Sequence, residues 1–356
     1  MSCCIPNNRS ARQLFPLVST QLRSYSAAGA SSRLPTGTTP RAPQPSSPAP
    51  LSLSGNLLHC YWDTNPPTPQ QLHYADHFFN ASTPEFLFST VNFRSFPLSS
   101  TPEVAFLGRS NVGKSSLLNA LLGRTTQKLA HVSSKPGRTR SMNAFGVGGG
   151  GGGTRDKKDR GGRVIKGGEG ERWIGRGGVV IVDMPGYGKG SRREWGEEIT
   201  KYLIGRQQLR RTYLLVDAEH GLKPADAQLL STLRGHGIQH QIILSKADKI
   251  LYPSPRTPAP EQLQQNLLKL RAICDGIREQ VQPKDERGPK ALGEIICCSA
   301  EKSVERGKKL GMDGVRWAVL SATGLDSDAS GKKRSFDMDD YTGFPLTNSR
   351  ADALVP

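Results

Sequence analysis

Residues 108–115 read Gly-Arg-Ser-Asn-Val-Gly-Lys-Ser, the spacing of a phosphate-binding loop. What flanks the loop restricts the fold. Residues 104–107 (Val-Ala-Phe-Leu) suit a short buried strand, and residues 116–122 (Ser-Leu-Leu-Asn-Ala-Leu-Leu) suit a helix. A strand, a glycine-bearing loop and a helix N-terminus together make an anion site, because the loop amides turn inward and the helix dipole favours negative charge. Gly108, Arg109, Ser110, Asn111, Val112, Gly113, Lys114, Ser115 and Ser116 are therefore the expected contacts to nucleotide phosphates. Lys114 is placed to reach the β- and γ-phosphates, and the Ser115 hydroxyl to bind Mg²⁺. The plain alternative is a glycine-rich turn with no ligand. The flanking strand and helix count against it.

Residues downstream bear on which nucleotide binds. Residues 179–186 (Val-Val-Ile-Val-Asp-Met-Pro-Gly) are an apolar strand ending in Asp-x-x-Gly. The Asp183 carboxylate can hold Mg²⁺ through a water, and the Gly186 N–H can sense a γ-phosphate because glycine permits close approach. Residues 241–244 form another apolar run, followed by Ser245, Lys246, Ala247 and Asp248. A carboxylate at Asp248 can accept both the N1–H and the 2-amino group of guanine, whereas adenine offers neither donor there. The Lys246 stem is expected along the purine face. Residues 295–298 are a further strand ending in Ser299 and Ala300, and the Ala300 N–H is placed to donate to guanine O6. Each tetrapeptide is weak alone. Four in this order, each closing an apolar strand, point to GTP or GDP. A mobile threonine completing the Mg²⁺ shell is expected at Thr139, in Lys-Pro-Gly-Arg-Thr (residues 135–139). An exposed turn threonine is the alternative.

These motifs, with Asp-Met-Pro-Gly-Tyr-Gly at residues 183–188, resemble the EngB-type (YihA-like) GTPases. The lead-in at residues 88–104 and the closing segment at residues 314–322 are similar to that family too, so the resemblance spans about residues 72–324. It implies a GTPase that assists assembly of the large ribosomal subunit, with ribosomal RNA or a subunit precursor as partner. Ser245 departs from the usual Thr or Asn. A hydroxyl is kept, so weaker support of the phosphate loop is expected, not its loss. Tyr187 follows Gly186 where Ras-like enzymes carry a water-orienting glutamine nearby. No replacement base is evident, so slow intrinsic hydrolysis is expected, with Lys114, Thr139 and Gly186 stabilising the transferred phosphoryl group. Related G proteins with asparagine at the position of Asn111 bind K⁺ beside the phosphates. Asn111 as a mere turn residue is the alternative.

The remaining chain reads as additions to this domain. No Asp or Glu precedes Asp63, yet Arg9, Arg12, Arg23, Arg33 and Arg41 do, among many Ser and Ala residues. That is the pattern of a mitochondrial presequence (residues 1–25), with cleavage after Tyr25 and a matrix destination; a basic tail with no address is the alternative. Residues 26–71 read as a Pro/Ser-rich linker, and residues 325–356 as a disordered tail. Residues 146–178 form a glycine-rich basic insertion, expected as a flexible loop at a hairpin tip. It is either an arm touching RNA phosphates or neutral low-complexity sequence. The net charge is +17, and without the five N-terminal arginines +12, which favours a polyanionic partner. Arg206, Arg210 and Arg211, with Lys189, Arg192 and Arg193, read either as an RNA-facing patch near the second switch or as a charged helix face. The six cysteines show no metal-ligand spacing, and no apolar run approaches a membrane span. A monomer outside the membrane is expected.

The expected architecture is an α/β P-loop G domain: a six-stranded mixed sheet with helices on both faces. The strands fall near residues 103–107, 141–147, 178–183, 212–217, 241–245 and 294–298, the second antiparallel. An amphipathic helix near residues 261–279 turns Leu263, Leu267, Leu270, Cys274 and Ile277 inward. Three other readings are weighed against this one. A different mitochondrial G-protein switch lacks its extra domains. A non-catalytic RNA-binding scaffold does not need Lys114, Ser115, Asp183 and Asp248 intact. An ATPase or kinase does not need Asp248.

Overall fold

Side chains in the central strands alternate between two apolar faces, and this sets the layering. On the strand leading into the phosphate loop, Ala105 and Leu107 pack into one core, and Val104 and Phe106 into the other. Val180 and Val182 share the first core, and Val179 and Ile181 the second. A strand buried on both faces reads as a continuous apolar run, as in parallel sheets covered by helices. Burial of each of these valine, leucine, isoleucine and phenylalanine side chains stabilises by about 1.5–3 kcal/mol before entropy is counted, and of Ala105 by less.

The computed structural model describes residues 55–123, 141–149, 153–155, 171–187, 193–282, 290–305 and 308–334. The presequence, most of the linker, Thr139, Lys189, Arg192 and the tail beyond residue 334 lie outside the described residues. In chain order the elements are α1 (Gly55–Leu58), β1 (Cys60–Tyr61), α2 (Pro69–Ala81), β2 (Glu85–Thr90), β3 (Glu103–Gly108) and α3 (Lys114–Leu121). Then come β4 (Met142–Gly148), β5 (Gly153–Arg155), β6 (Glu171–Trp173), β7 (Gly178–Asp183), α4 (Arg193–Gly205) and β8 (Leu209–Asp217). They are followed by α5 (Pro224–Gly235), β9 (His240–Ser245), α6 (Asp248–Leu251), α7 (Pro260–Val281) and β10 (Glu294–Cys297). The last are β11 (Ser303–Glu305), β12 (Lys308–Lys309) and α8 (Met312–Thr323).

The main sheet has eight strands in the order β1-β10-β9-β8-β3-β7-β4-β2, not six. The two additions are its edges. β1 runs antiparallel to β10, and β2 antiparallel to β4. β1 has only two residues, too few to show an alternating pattern. The six expected strands are all present. β4 is antiparallel to β7, and the other expected pairs are parallel. Helices α4, α5 and α7 cover one face, and α2, α3 and α8 the other. The predicted stripe of α7 is buried throughout.

The fold reaches past both expected limits of the domain. Thr68 caps α2 reciprocally with Gln71, Pro69 occupies the first turn, and Ala75 and Phe79 are buried. Arg316 of α8 then ties α2 to α3. It pairs with Asp76 at 2.8 Å and donates to the carbonyls of Leu121 and Ala120. At the other end, Gly324 closes α8 in a left-handed conformation and Leu325 packs on the core. Ser327 is buried, its carbonyl accepting from Gln71 at 3.2 Å. Residues 55–71 are therefore not all linker, and residues 325–334 not loose tail. The insertion also departs from a plain loop: β5 and β6 pair antiparallel beyond the β4–β7 hairpin.

Candidate functional site

The phosphate loop turns between β3 and α3, and its glycines sit where side chains do not fit. Gly113 has φ of 95°, and a Cβ on Gly108 would lie 2.6 Å from Val112 Cγ1. Asn111 has φ of 67°, which asparagine tolerates better than most residues. Lys114, 7% exposed, pairs with Asp183, 1% exposed, at the end of β7. Ammonium and carboxylate thus meet at the N-terminus of α3, in whose first turn Ser115 is half-buried. Such oxygen donors suit Mg²⁺, a hard cation, and a loop running into a helix N-terminus offers amides that suit an anion. Bound Mg²⁺ would offset phosphate charge there.

The start of the second switch lies directly on this loop. A Cβ on Gly186 would come within 3.1 Å of Ser110 Oγ, so only glycine sits there without displacement. The Tyr187 N–H donates to the Gly108 carbonyl, and the Ser110 N–H to the Tyr187 carbonyl, both at 3.3 Å.

The base-side residues converge from β9 and β10. Ser245 Oγ lies 2.8 Å from the Val112 carbonyl, so the hydroxyl expected to support the phosphate loop touches it. Lys246 adopts φ of 57°, and its ammonium reaches the Asn111 carbonyl at 3.0 Å and Asp217 at 2.8 Å. Burial opposes ionisation of Asp217, but hydrogen bonds from Lys246 and His220 outweigh it and hold that carboxyl below its usual range. Asp248 opens α6. The Ala247 N–H donates to the Cys298 carbonyl at 3.0 Å, joining the loop of Asp248 to that of Ser299 and Ala300. Ser299 is fixed in turn: its Oγ accepts from the Glu301 and Lys302 N–H groups.

One sequence reading changes. Arg206 is not a surface contact: it is 8% exposed, holds Glu103 with two nitrogens and donates to the Pro97 carbonyl. Arg210 is exposed, and Arg211 is half-buried against Gln241. Sequence reasoning also passed over Asp226, fully buried in the first turn of α5. It accepts from Arg109, Tyr187 and the Lys223 N–H. Lys-Pro-Ala-Asp (residues 223–226) announces a helix start in sequence, but not partners this distant.

The mixed sheet with its parallel centre, the phosphate loop, the Asp-x-x-Gly segment and the paired base loops define a P-loop GTPase. Residues 103–246 match the family model described as 50S ribosome-binding GTPase. The chain is 40% identical to the probable GTP-binding protein EngB of Bradyrhizobium diazoefficiens over 171 residues, 47% of this chain and 66% of that protein. It is 35% identical to the corresponding protein of Chelativorans over 231 residues, 64% of this chain and 82% of that protein. Among solved structures, it is similar to Aquifex aeolicus Era bound to GDP and aluminium fluoride. The identity is 22% and the TM-score 0.39, over 63% of this chain and 57% of that one. The chain belongs to the EngB family of GTP-binding proteins, and it hydrolyses GTP.

Proposed function

We propose that this GTPase assists assembly of the large ribosomal subunit in the mitochondrial matrix. It binds ribosomal RNA or a subunit precursor as a monomer and exchanges partners with its nucleotide state. The observation that carries the reading is EngB membership over a stretch in which Lys114, Ser115, Asp183, Gly186 and Asp248 are all present. The ribosome-binding description of the matching family model supports the partner. So does the charge of +12 that remains without the N-terminal arginines. The acid-free, arginine- and serine-rich N-terminus supports the address. Among the described residues, no helix is long and apolar enough to cross a membrane. In this reading Thr139 closes the Mg²⁺ shell and Asn111 contributes to a K⁺ site beside the phosphates.

Sedimentation of the tagged full chain on mitochondrial ribosome gradients tests the proposal. With a non-hydrolysable GTP analogue the protein should travel with large-subunit precursors, and with GDP it should remain near the top. Migration free of ribosomal particles in both states overturns the ribosomal reading. An intact Met1 on the organelle's protein, in place of a start near Ser26, overturns the processing site.

A further inference from the structure

Three segments far apart in sequence meet at the Asp226 carboxylate. Tyr187 Oη donates to Oδ1 at 2.6 Å, Arg109 Nε to Oδ2 at 3.1 Å, and the Lys223 N–H to Oδ2 at 2.9 Å. The carboxylate is fully buried, and all three donors serve it. Burial and the neighbouring carboxylate push the Tyr187 phenol up from its ordinary value, so it stays protonated and keeps its role as donor.

The second switch therefore has two anchors at its first residue. The Tyr187 main chain is bridged to the phosphate loop at Gly108 and Ser110. Its ring is held by α5, a twelve-residue helix packed on the core through Leu230 and Leu233. The Tyr187 N–H and the Gly186 carbonyl belong to one peptide, so this anchoring holds Gly186 on its C-terminal side, packed so closely on the loop that a Cβ there would lie 3.1 Å from Ser110 Oγ; the Gly186 N–H, in the preceding peptide, takes its place from that fixed Cα. We propose that Asp226 is a positioning residue that fixes Tyr187, and so presents the Gly186 N–H to a γ-phosphate, setting the preference for GTP over GDP. GDP has no γ-phosphate and does not read that amide. Removing the tether lowers the fraction of molecules ready for GTP and leaves GDP unaffected. The proposal rests on GTP chemistry at this site, not on ribosomal or mitochondrial roles.

The test is calorimetric binding of GDP and of a β,γ-imido GTP analogue to the full chain at saturating Mg²⁺. Tyr187→Phe deletes one hydroxyl from a partly buried ring and keeps its packing. It should weaken the analogue about tenfold and leave GDP within about twofold. In an Asp226→Ala background, Tyr187→Phe should have no further effect on the analogue, because the hydroxyl has lost its acceptor. Should Asp226→Ala fail to fold, Tyr187→Phe alone decides. Equal weakening of both nucleotides, or undiminished affinity for the analogue, overturns the proposal, as do additive losses in the double variant. Loss of ribosome sedimentation with the nucleotide ratio unchanged would count against the ribosomal role and also against this one, whereas a changed ratio without sedimentation would count only against the former.

Discussion

Asp248 stands at the start of α6 behind Ala247, whose N–H is spent on the Cys298 carbonyl. The carboxylate is therefore placed by two loops at once. Asp248→Asn reverses one half of the demand it makes on a purine edge. It should weaken GTP by about 2 kcal/mol or more, since charged hydrogen bonds are lost, and xanthosine triphosphate should gain in exchange. Unchanged GTP affinity by calorimetry would remove Asp248 from the site. Asn111 poses a sharper question. Its left-handed backbone and its carbonyl, which accepts from Lys246, already account for an asparagine in a turn. A K⁺ ligand must do more. GTP hydrolysis should then run faster in KCl than in NaCl at equal ionic strength, and Asn111→Ala should abolish the difference. Equal rates in the two salts leave only the turn.

At the level of elements, α4 is bolted to the start of β3 by charge. Glu103 Oε1 and Oε2 lie 2.6 Å and 2.9 Å from Arg206 nitrogens, and Tyr202 donates to Oε2 at 2.8 Å. Both side chains of the ion pair are buried, at 6% and 2% exposure. Arg206→Met leaves the Glu103 carboxylate buried without its cation and should cost about 3–5 kcal/mol in urea unfolding. Glu103→Gln added to it should recover part of the loss; no recovery would mean that Arg206 acts through packing alone. The same arginine shows where sequence reading stops. Phosphate loop, Asp-x-x-Gly and base loops were legible because each is local: a short motif closing an apolar run. Whether an arginine faces RNA or a buried glutamate 103 residues away is not local. α2 was passed over for another reason. Its mixture of Gln, His and Asn hides a narrow stripe of Ala75 and Phe79, although Thr68-x-x-Gln71 was a readable capping box. β1 left no signal, because its two residues are a strand only through their pairing with β10.

Across the whole molecule, acid resistance depends on groups that the fold keeps neutral. His59, between α1 and β1, is 1% exposed, and its Nδ1 accepts the Cys297 N–H at 3.1 Å. An acceptor nitrogen cannot carry a proton, and burial lowers this imidazole to about 4, against a weaker opposite pull from Cys60. The unfolded chain takes up that proton near pH 6.5, so between 6.5 and 4 it binds more protons than the folded one, and stability falls as pH falls. From pH 7 to 5 this one group should remove about 2 kcal/mol. His240 acts in the same direction, lowered by burial despite its hydrogen bond to the Ile238 carbonyl. Glu294 and Asp326 act oppositely, since burial raises their carboxyls. The His59 share can be isolated by His59→Asn, whose Oδ1 can take over the Cys297 N–H without titrating. Denaturant unfolding at pH 7 and pH 5 should show a pH dependence smaller by about 2 kcal/mol in the variant than in the native chain. If the two proteins lose the same stability between those pH values, His59 is protonated in the folded state and the Cys297 N–H has another acceptor.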